Sequence, residues 1–157
     1  MTAQMNEAER ADFYCRLRRF FNNRDRLCIA LGIRVTEIGH GWATTDMVIE
    51  DKHMNGANVV QGGAIFTLAD LALGAASNSH GHTALGINCS ISYTKPGVSG
   101  TLTAHARETS AAGPLATYVV DIRNDNGETI ASFQGTAYRK RDKLDLSAWG
   151  EDAGAPV

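Results

Sequence analysis

Asn55-Gly56-Ala57-Asn58-Val59-Val60-Gln61-Gly62-Gly63-Ala64-Ile65-Phe66-Thr67-Leu68-Ala69-Asp70 is the stretch from which the rest of the chain is read. It starts as a loop of Asn and Gly, passes through paired glycines and enters a nearly all-apolar helical run that carries one carboxylate. Glycines at a helix start leave backbone N–H groups accessible, and those groups can hold a developing negative charge. They also allow a tight turn into the helix, which is a purely conformational use. A lone carboxylate on an apolar helix is costly unless it has a partner or a task. The helical neighbours of Asp70 at three and four residues, Phe66, Thr67, Leu73 and Gly74, offer no cation. Together these features point to acyl-transfer chemistry.

Residues 63–79 are expected to form one long helix. Ile65, Phe66, Leu68, Ala69, Leu71, Ala72, Leu73, Ala75 and Ala76 leave almost no polar face, and a helix apolar all round is enclosed. Asn78, Ser79, His80 and Gly81 should stop it. Upstream, residues 6–22 read as a helix with Phe13, Leu17, Phe20 and Phe21 on one face, ended by Asn22 and Asn23. Residues 33–50 read as a strand pair bent at Gly39-His40-Gly41, with Ile33 and Val35 and then Trp42, Thr44 and Asp46 in alternation.

Downstream, 84–94, 100–110, 115–124 and 128–140 are expected strands. They are separated by Lys95-Pro96-Gly97, Ala112-Gly113-Pro114 and the hairpin signal Asn124-Asp125-Asn126-Gly127. No βαβ repetition supports a parallel sheet. The fold class is α+β: a curved antiparallel β-sheet wrapped around a long central helix, with an extra N-terminal helix. The expected division is a helical extension over 1–27, one domain over 28–141 and a flexible tail over 142–157.

At 157 residues the chain is long enough for one real core, and 43% hydrophobic with 20% charged residues is ordinary globular material. A net charge of −2 gives no basic footprint for nucleic acid. Cys15, Cys28 and Cys89 are widely spaced without a CxxC, which suits reduced thiols in a cytoplasmic protein. Met1 to Arg10 has no hydrophobic core of a leader peptide, and the best apolar run, Ala64 to Ala76, is too short to span a bilayer and is broken by Asp70. No membrane association is expected. His53, His80 and His82 do not form a metal-ligand set and no HExxH is present, so no metal is expected.

Asn55-Gly56, then Gly62-Gly63, then Leu68-Ala69-Asp70, together with Ile91-Ser92-Tyr93-Thr94-Lys95-Pro96-Gly97, resemble the hotdog-fold thioesterases of the PaaI (phenylacetyl-CoA thioesterase) type over residues 28–140. The resemblance implies a hotdog fold and hydrolysis of an acyl-CoA, aryl or aliphatic, to free acid and coenzyme A. No cofactor is implied beyond the coenzyme A of the substrate. It puts the catalytic carboxylate on Asp70, the carbonyl-polarising N–H on Gly62 and the loop amide on Asn55. Where the family often has His-Gly-Gly, this chain has Gln61-Gly62-Gly63, so a neutral amide replaces an imidazole. Gly63 and Phe66 are candidates to touch substrate, and Lys95, Arg139, Lys140 and Arg141 to meet its phosphates.

Asp70 lies eight residues after Gly62, about 12 Å along a helix at ~1.5 Å per residue. One thioester carbon must lie within about 3–4 Å of both the N–H and the carboxylate or its water. Two such helices lying antiparallel across a two-fold axis would bring Asp70 of one chain to Gly62 of the other, giving two sites per homodimer. The resemblance implies the same arrangement, usually as a dimer of dimers. Two alternatives belong to other classes. A hotdog dehydratase or hydratase generally needs an imidazole base beside a carboxylate, and Gln61 stands where that imidazole would be. A non-catalytic acyl-CoA-binding module should lack the helix carboxylate that Asp70 supplies.

Overall fold

The computed structural model describes residues 5–146. Helix α1 (Glu7–Arg24) opens with a capping box, Asn6 Oδ1 accepting from the Glu9 N–H and Glu9 Oε2 from the Asn6 N–H. It buries Phe13 and Leu17. Asp25 both follows α1 and caps the short α2 (Arg26–Leu31), its Oδ1 accepting from the Cys28 N–H at 3.0 Å. Gly32 closes α2 in the left-handed region at φ 68°.

Strands β1 (Ile33–Gly39) and β2 (Trp42–Val48) pair around a turn that needs Gly41 at φ 75°. A 3-10 turn (Asp51–His53) and a loop lead to helix α3 (Gly62–Asn78). Then come β3 (His82–Tyr93), β4 (Thr101–Ala112), β5 (Leu115–Arg123) and β6 (Thr129–Lys143). The six strands form one antiparallel sheet in the order β1-β2-β4-β5-β6-β3. The sheet curls around α3, which contacts every strand.

Two side chains lock α3 in place. Thr45 Oγ1, fully buried on β2, donates to the Leu68 carbonyl at 2.8 Å. Asn78 donates to the Gly74 and Ala84 carbonyls and accepts from the Ala84 N–H at 3.0 Å, which clamps the end of α3 to the start of β3. A buried amide with its hydrogen bonds made is stable where an apolar residue would leave backbone groups unpaired.

Two sequence expectations need correction, and the structure also assigns the faces of β2. Asn22 does not end α1; its side chain donates to the Val35 carbonyl and accepts from the Val35 N–H, acting as a surrogate strand on the outer edge of β1. The inward face of β2 is Ala43, Thr45 and Met47, with Trp42, Thr44 and Asp46 on the other face. Small Ala43 and Thr45 let α3 approach closely enough for the Leu68 hydrogen bond. Finally, α3 is not enclosed by its own chain: Gly62, Gly63, Phe66, Thr67, Asp70 and Gly74 are its residues outside the core. Positions 63, 66, 67, 70 and 74 repeat at helical spacing and form one stripe the core leaves open, exposed at Gly63 and Asp70, half-buried at Phe66 and Thr67 and approached by Phe21 at Gly74. The tail expected after Asp142 lies, from 147 onward, outside the described residues.

Candidate active site

The first turn of α3 sorts its N–H groups. Gln61 is the N-cap, and its Oε1 accepts from the Gly63 N–H. The first four N–H groups of a helix have no intrahelical acceptor. With Gly63 capped, the Gly62 N–H is left without an acceptor among the described residues. Behind it, Tyr93 Oη donates to the Gly62 carbonyl at 2.8 Å. A Cβ at position 62 would lie 2.9 Å from Tyr93 Cζ, so any larger residue must push that ring aside. The bare backbone at 62 thus follows from packing as well as from turn geometry.

Asp70 lies two turns further, on the uncovered stripe. Its residue surface is exposed in the single chain, yet its Oδ1 leans onto β3, 4.0 Å from Cys89 Sγ. A Cβ placed on Gly86 would be 3.8 Å from the same oxygen and 3.7 Å from Leu73 Cδ2. Burial of the carboxylate end pushes its pKa above the ordinary carboxylate value, and the negative charge of Asp25 adds to the rise. A carboxylate held this way is a better proton acceptor near neutral pH than a solvated one. Burial and then the Asp70 charge push the Cys89 thiol up as well, so it stays protonated beside Asp70.

The other sequence candidates separate into near and far groups. Asn55 organises its own loop, Oδ1 accepting from Ala57 N at 2.9 Å and Val59 N at 3.3 Å, which leaves its Nδ2 hydrogens to donate. Phe66 stands on the open stripe with its ring edge-on to Phe133 at 5.2 Å. Lys95 lies at the same end as Gly62, since Val60 N donates to the Gly97 carbonyl; its exposed Nζ pairs with Glu128 at 2.6 Å. Arg139 is not with them. It lies toward the other end of the sheet, opposite Ala84 on β3, with Nη2 donating to Glu108 Oε2 at 3.0 Å.

That same oxygen accepts from Tyr118 at 2.6 Å and sits 2.7 Å from His80 Nε2. Burial opposes the charge on Glu108, but hydrogen bonds from Tyr118 and His80, with the Arg139 charge, outweigh it and lower the pKa. His53 is buried and structural: Nδ1 accepts from the Glu50 N–H and Nε2 meets the Leu31 carbonyl at 2.7 Å. Among the described residues there is no cluster of three or more His, Cys, Asp or Glu able to hold a metal, and no helix long and apolar enough to cross a membrane.

Sequence reasoning missed the parts Tyr93, Cys89, Asp25 and Gly86 play. Tyr93 had a signal, an aromatic at the strand end before Lys95-Pro96-Gly97; the others become visible only when β3 and α2 fold against α3.

Relatives give this geometry a chemistry. A family profile described as thioesterase superfamily matches residues 57–131, the span from the Asn55 loop through β6's first residues. A protein of Archaeoglobus fulgidus is 40% identical over 133 residues, 84% of this chain and 86% of its own. Acyl-coenzyme A thioesterase PaaI of Escherichia coli is 34% identical over 116 residues, 73% of this chain and 83% of its own. This chain belongs to the thioesterase superfamily. It is a PaaI-type hotdog protein, and its class of reaction is thioester hydrolysis. The structure of E. coli PaaI, from the phenylacetic acid degradation operon, superposes with a TM-score of 0.79 at 30% identity, covering 84% of this chain and 96% of that one. A Streptococcus mutans protein solved bound to acetyl CoA superposes at 0.67 with 25% identity, covering 71% and 91%.

Proposed function

We propose that this PaaI-type thioesterase hydrolyses acyl-CoA in a cleft between two copies of the chain, with the Gly62 N–H from one copy and Asp70 from the other. The observation that carries the proposal is the uncovered stripe of α3. It holds Asp70, and Gly62 stands beside its start, yet the two are too far apart along the helix to serve one carbonyl.

The sheet supports pairing of copies. Its two edges are β1 and β3. Asn22 hydrogen-bonds β1's edge at Val35, whereas β3 is long and exposes Leu85 (55%), Ile87 (58%) and Tyr93 (50%). A long apolar edge strand is a template for pairing. Antiparallel pairing of β3 with its copy sets the two α3 stripes face to face and reverses their directions, which carries Asp70 toward the other Gly62.

In that cleft the Gly62 N–H and the α3 dipole polarise the thioester carbonyl. Asp70 takes a proton from water as the oxygen adds to the carbonyl carbon. The tetrahedral intermediate then expels the thiolate of coenzyme A, which recovers the proton from Asp70. Direct attack by the carboxylate on the carbonyl, followed by hydrolysis of the anhydride, uses the same two groups. Nδ2 of Asn55 donates at the mouth of the site, and Gln61 holds the helix start rigid by capping Gly63. Hydrolysis of a panel of acyl-CoAs with thiol detection, wild type beside Asp70→Asn, tests this. Turnover is expected for wild type and near-complete loss for the variant; full activity in the variant removes Asp70 from the mechanism.

A further inference from the structure

The β1 edge of the sheet, the one remote from β3, carries a cavity of ≈510 Å³ that takes no part in the cleft described above. Helix α1 supplies one wall with Ala11, Tyr14 and Arg18; the other is Glu37 and Ile38 of β1 with Trp42 of β2. The volume lies within the usual range of ligand pockets, about 300–1,000 Å³.

The α1 wall holds donors that nothing in the chain uses. Tyr14 Oη is buried and has no hydrogen-bond partner among the described residues. Burial pushes the Tyr14 pKa up, against the opposing pull of the Arg10 charge, so the hydroxyl keeps its proton at neutral pH. A buried hydroxyl left unpaired is rare, because it forfeits its hydrogen bonds to water. Arg18 follows four residues later, on the same helix face. Its Nη1 donates at 3.0 Å to the carbonyl of Thr36, the residue that the β1 bulge leaves without a partner on β2. That bond anchors the guanidinium. Its Nε and Nη2 make no hydrogen bond, and Arg18 has no ion pair, among the described residues.

The opposite wall is apolar and held in place. The Trp42 indole lies in the space that a side chain on Gly39 would occupy, and its ring is 5.7 Å from that of His105. Ile38, half-buried, adds aliphatic surface, and exposed Glu37 is the one acidic residue of the described lining.

We infer that this cavity binds a small aromatic monocarboxylate, its carboxylate accepting from Tyr14 Oη and Arg18 and its ring lying against Trp42 and Ile38. Both donors need an acceptor, and an anion also answers the unpaired charge of Arg18. A flat ring fits an indole face beside one aliphatic side chain. An inorganic anion would leave Trp42 and Ile38 without a contact, and a second acidic group on the ligand would meet Glu37. The site stands apart from the proposed function, although the acids that thioester hydrolysis releases include members of its ligand class.

Calorimetry with benzoate, acetate and benzyl alcohol separates ring and charge together, charge without ring, and ring without charge. Wild type should bind benzoate, and each of the other two at least about tenfold more weakly. Tyr14→Phe deletes only the hydroxyl and should weaken benzoate about tenfold, the value of one charge-assisted hydrogen bond. Its Tm should hold or rise, since no buried hydroxyl is left unpaired. Ala11→Leu fills the cavity from an exposed helix position and should abolish binding with Tyr14 intact. Thiol release from acyl-CoA should stay at the wild-type level in both variants, as neither residue belongs to the cleft. No benzoate binding by wild type would overturn the site. Equal benzoate affinity in wild type and both variants would put the acid in the catalytic cleft and overturn it as well. Acetate as tight as benzoate would reduce the cavity to an anion site, and benzyl alcohol as tight would reduce it to an apolar groove; either result refutes the assigned ligand class.

Discussion

Gly62→Ala separates the packing role of this glycine from its electrophilic one. Alanine keeps the N–H, and in an ordinary helix it would gain up to about 1 kcal/mol over glycine. Here the new Cβ lands 2.9 Å from Tyr93 Cζ and 3.0 Å from Oη, whereas carbon atoms prefer about 3.5–4.0 Å. Either the Tyr93 ring or the first turn of α3 must give by roughly 0.6–1 Å. Tyr93 is half exposed and can move, at the loss of its 2.8 Å hydrogen bond to the Gly62 carbonyl, worth about 1 kcal/mol. The gain and the loss nearly cancel, so stability should stay within about 1 kcal/mol of wild type.

The rate should not stay. A donor shifted by several tenths of an ångström from a developing oxyanion loses most of its value, and losing one such donor costs about 10²–10³ in kcat. Thermal denaturation and thiol-release kinetics of Gly62→Ala, Tyr93→Ala and the double variant check this. The single glycine variant should be stable and slow, and the double variant, relieved of the overlap, should recover much of the lost rate. Gly62→Ala with full kcat, or a double variant as slow as the single, would refute the link between Tyr93 packing and carbonyl polarisation.

Other consequences follow from the same residues. Asp70 has a raised pKa in the folded chain, so the native state holds a proton that the unfolded chain has already released; stability therefore falls as pH rises through that window and the full cost is present at neutral pH. Asp70→Asn should raise Tm while abolishing turnover, and a lowered Tm would contradict the burial of this charge. Activity needs the carboxylate, so kcat/KM should climb with pH through the same window, with its acidic limb above the usual value of about 3.9. Asp25→Asn should move that limb to lower pH, since Asp25 adds to the rise. Ile87→Lys should give a folded monomer with little activity, read by sedimentation and thiol release, because it places a charge on the exposed face of the β3 edge.

The sequence carries the order of elements clearly. Paired glycines before an apolar run, the Asn124–Gly127 hairpin and the alternation of Ala131, Phe133, Gly135 and Ala137 against Ser132 and Gln134 are local patterns, and local patterns survive folding. The open stripe of α3 is harder to see, because Gly63, Phe66, Thr67 and Gly74 do not announce a polar face; Asp70 alone marks it. Asn22 looks like a helix terminator by type, and only the arrival of β1 beside it supplies the Val35 groups it binds. The inward face of β2 is hard to read for a related reason, as Ala43 and Thr45 lie close to α3 and carry no strong hydrophobic signal. Arg139 reads as a free cation by sequence, yet β4 and β5 bring Glu108 and Tyr118 to it from 31 and 21 residues away.

Asp70→Asn removes the base, and Gly62→Pro with Tyr93→Ala removes the N–H while avoiding the ring overlap and keeping a residue that the first helical position tolerates. Each protein alone should be inactive. Co-folded in equal amounts, about half of the dimers combine one chain of each kind, and each of those holds one cleft with both groups intact, so about a quarter of wild-type activity should return. Mixed dimers that form yet stay inactive would place both groups within one chain and contradict a site completed across the two-fold axis.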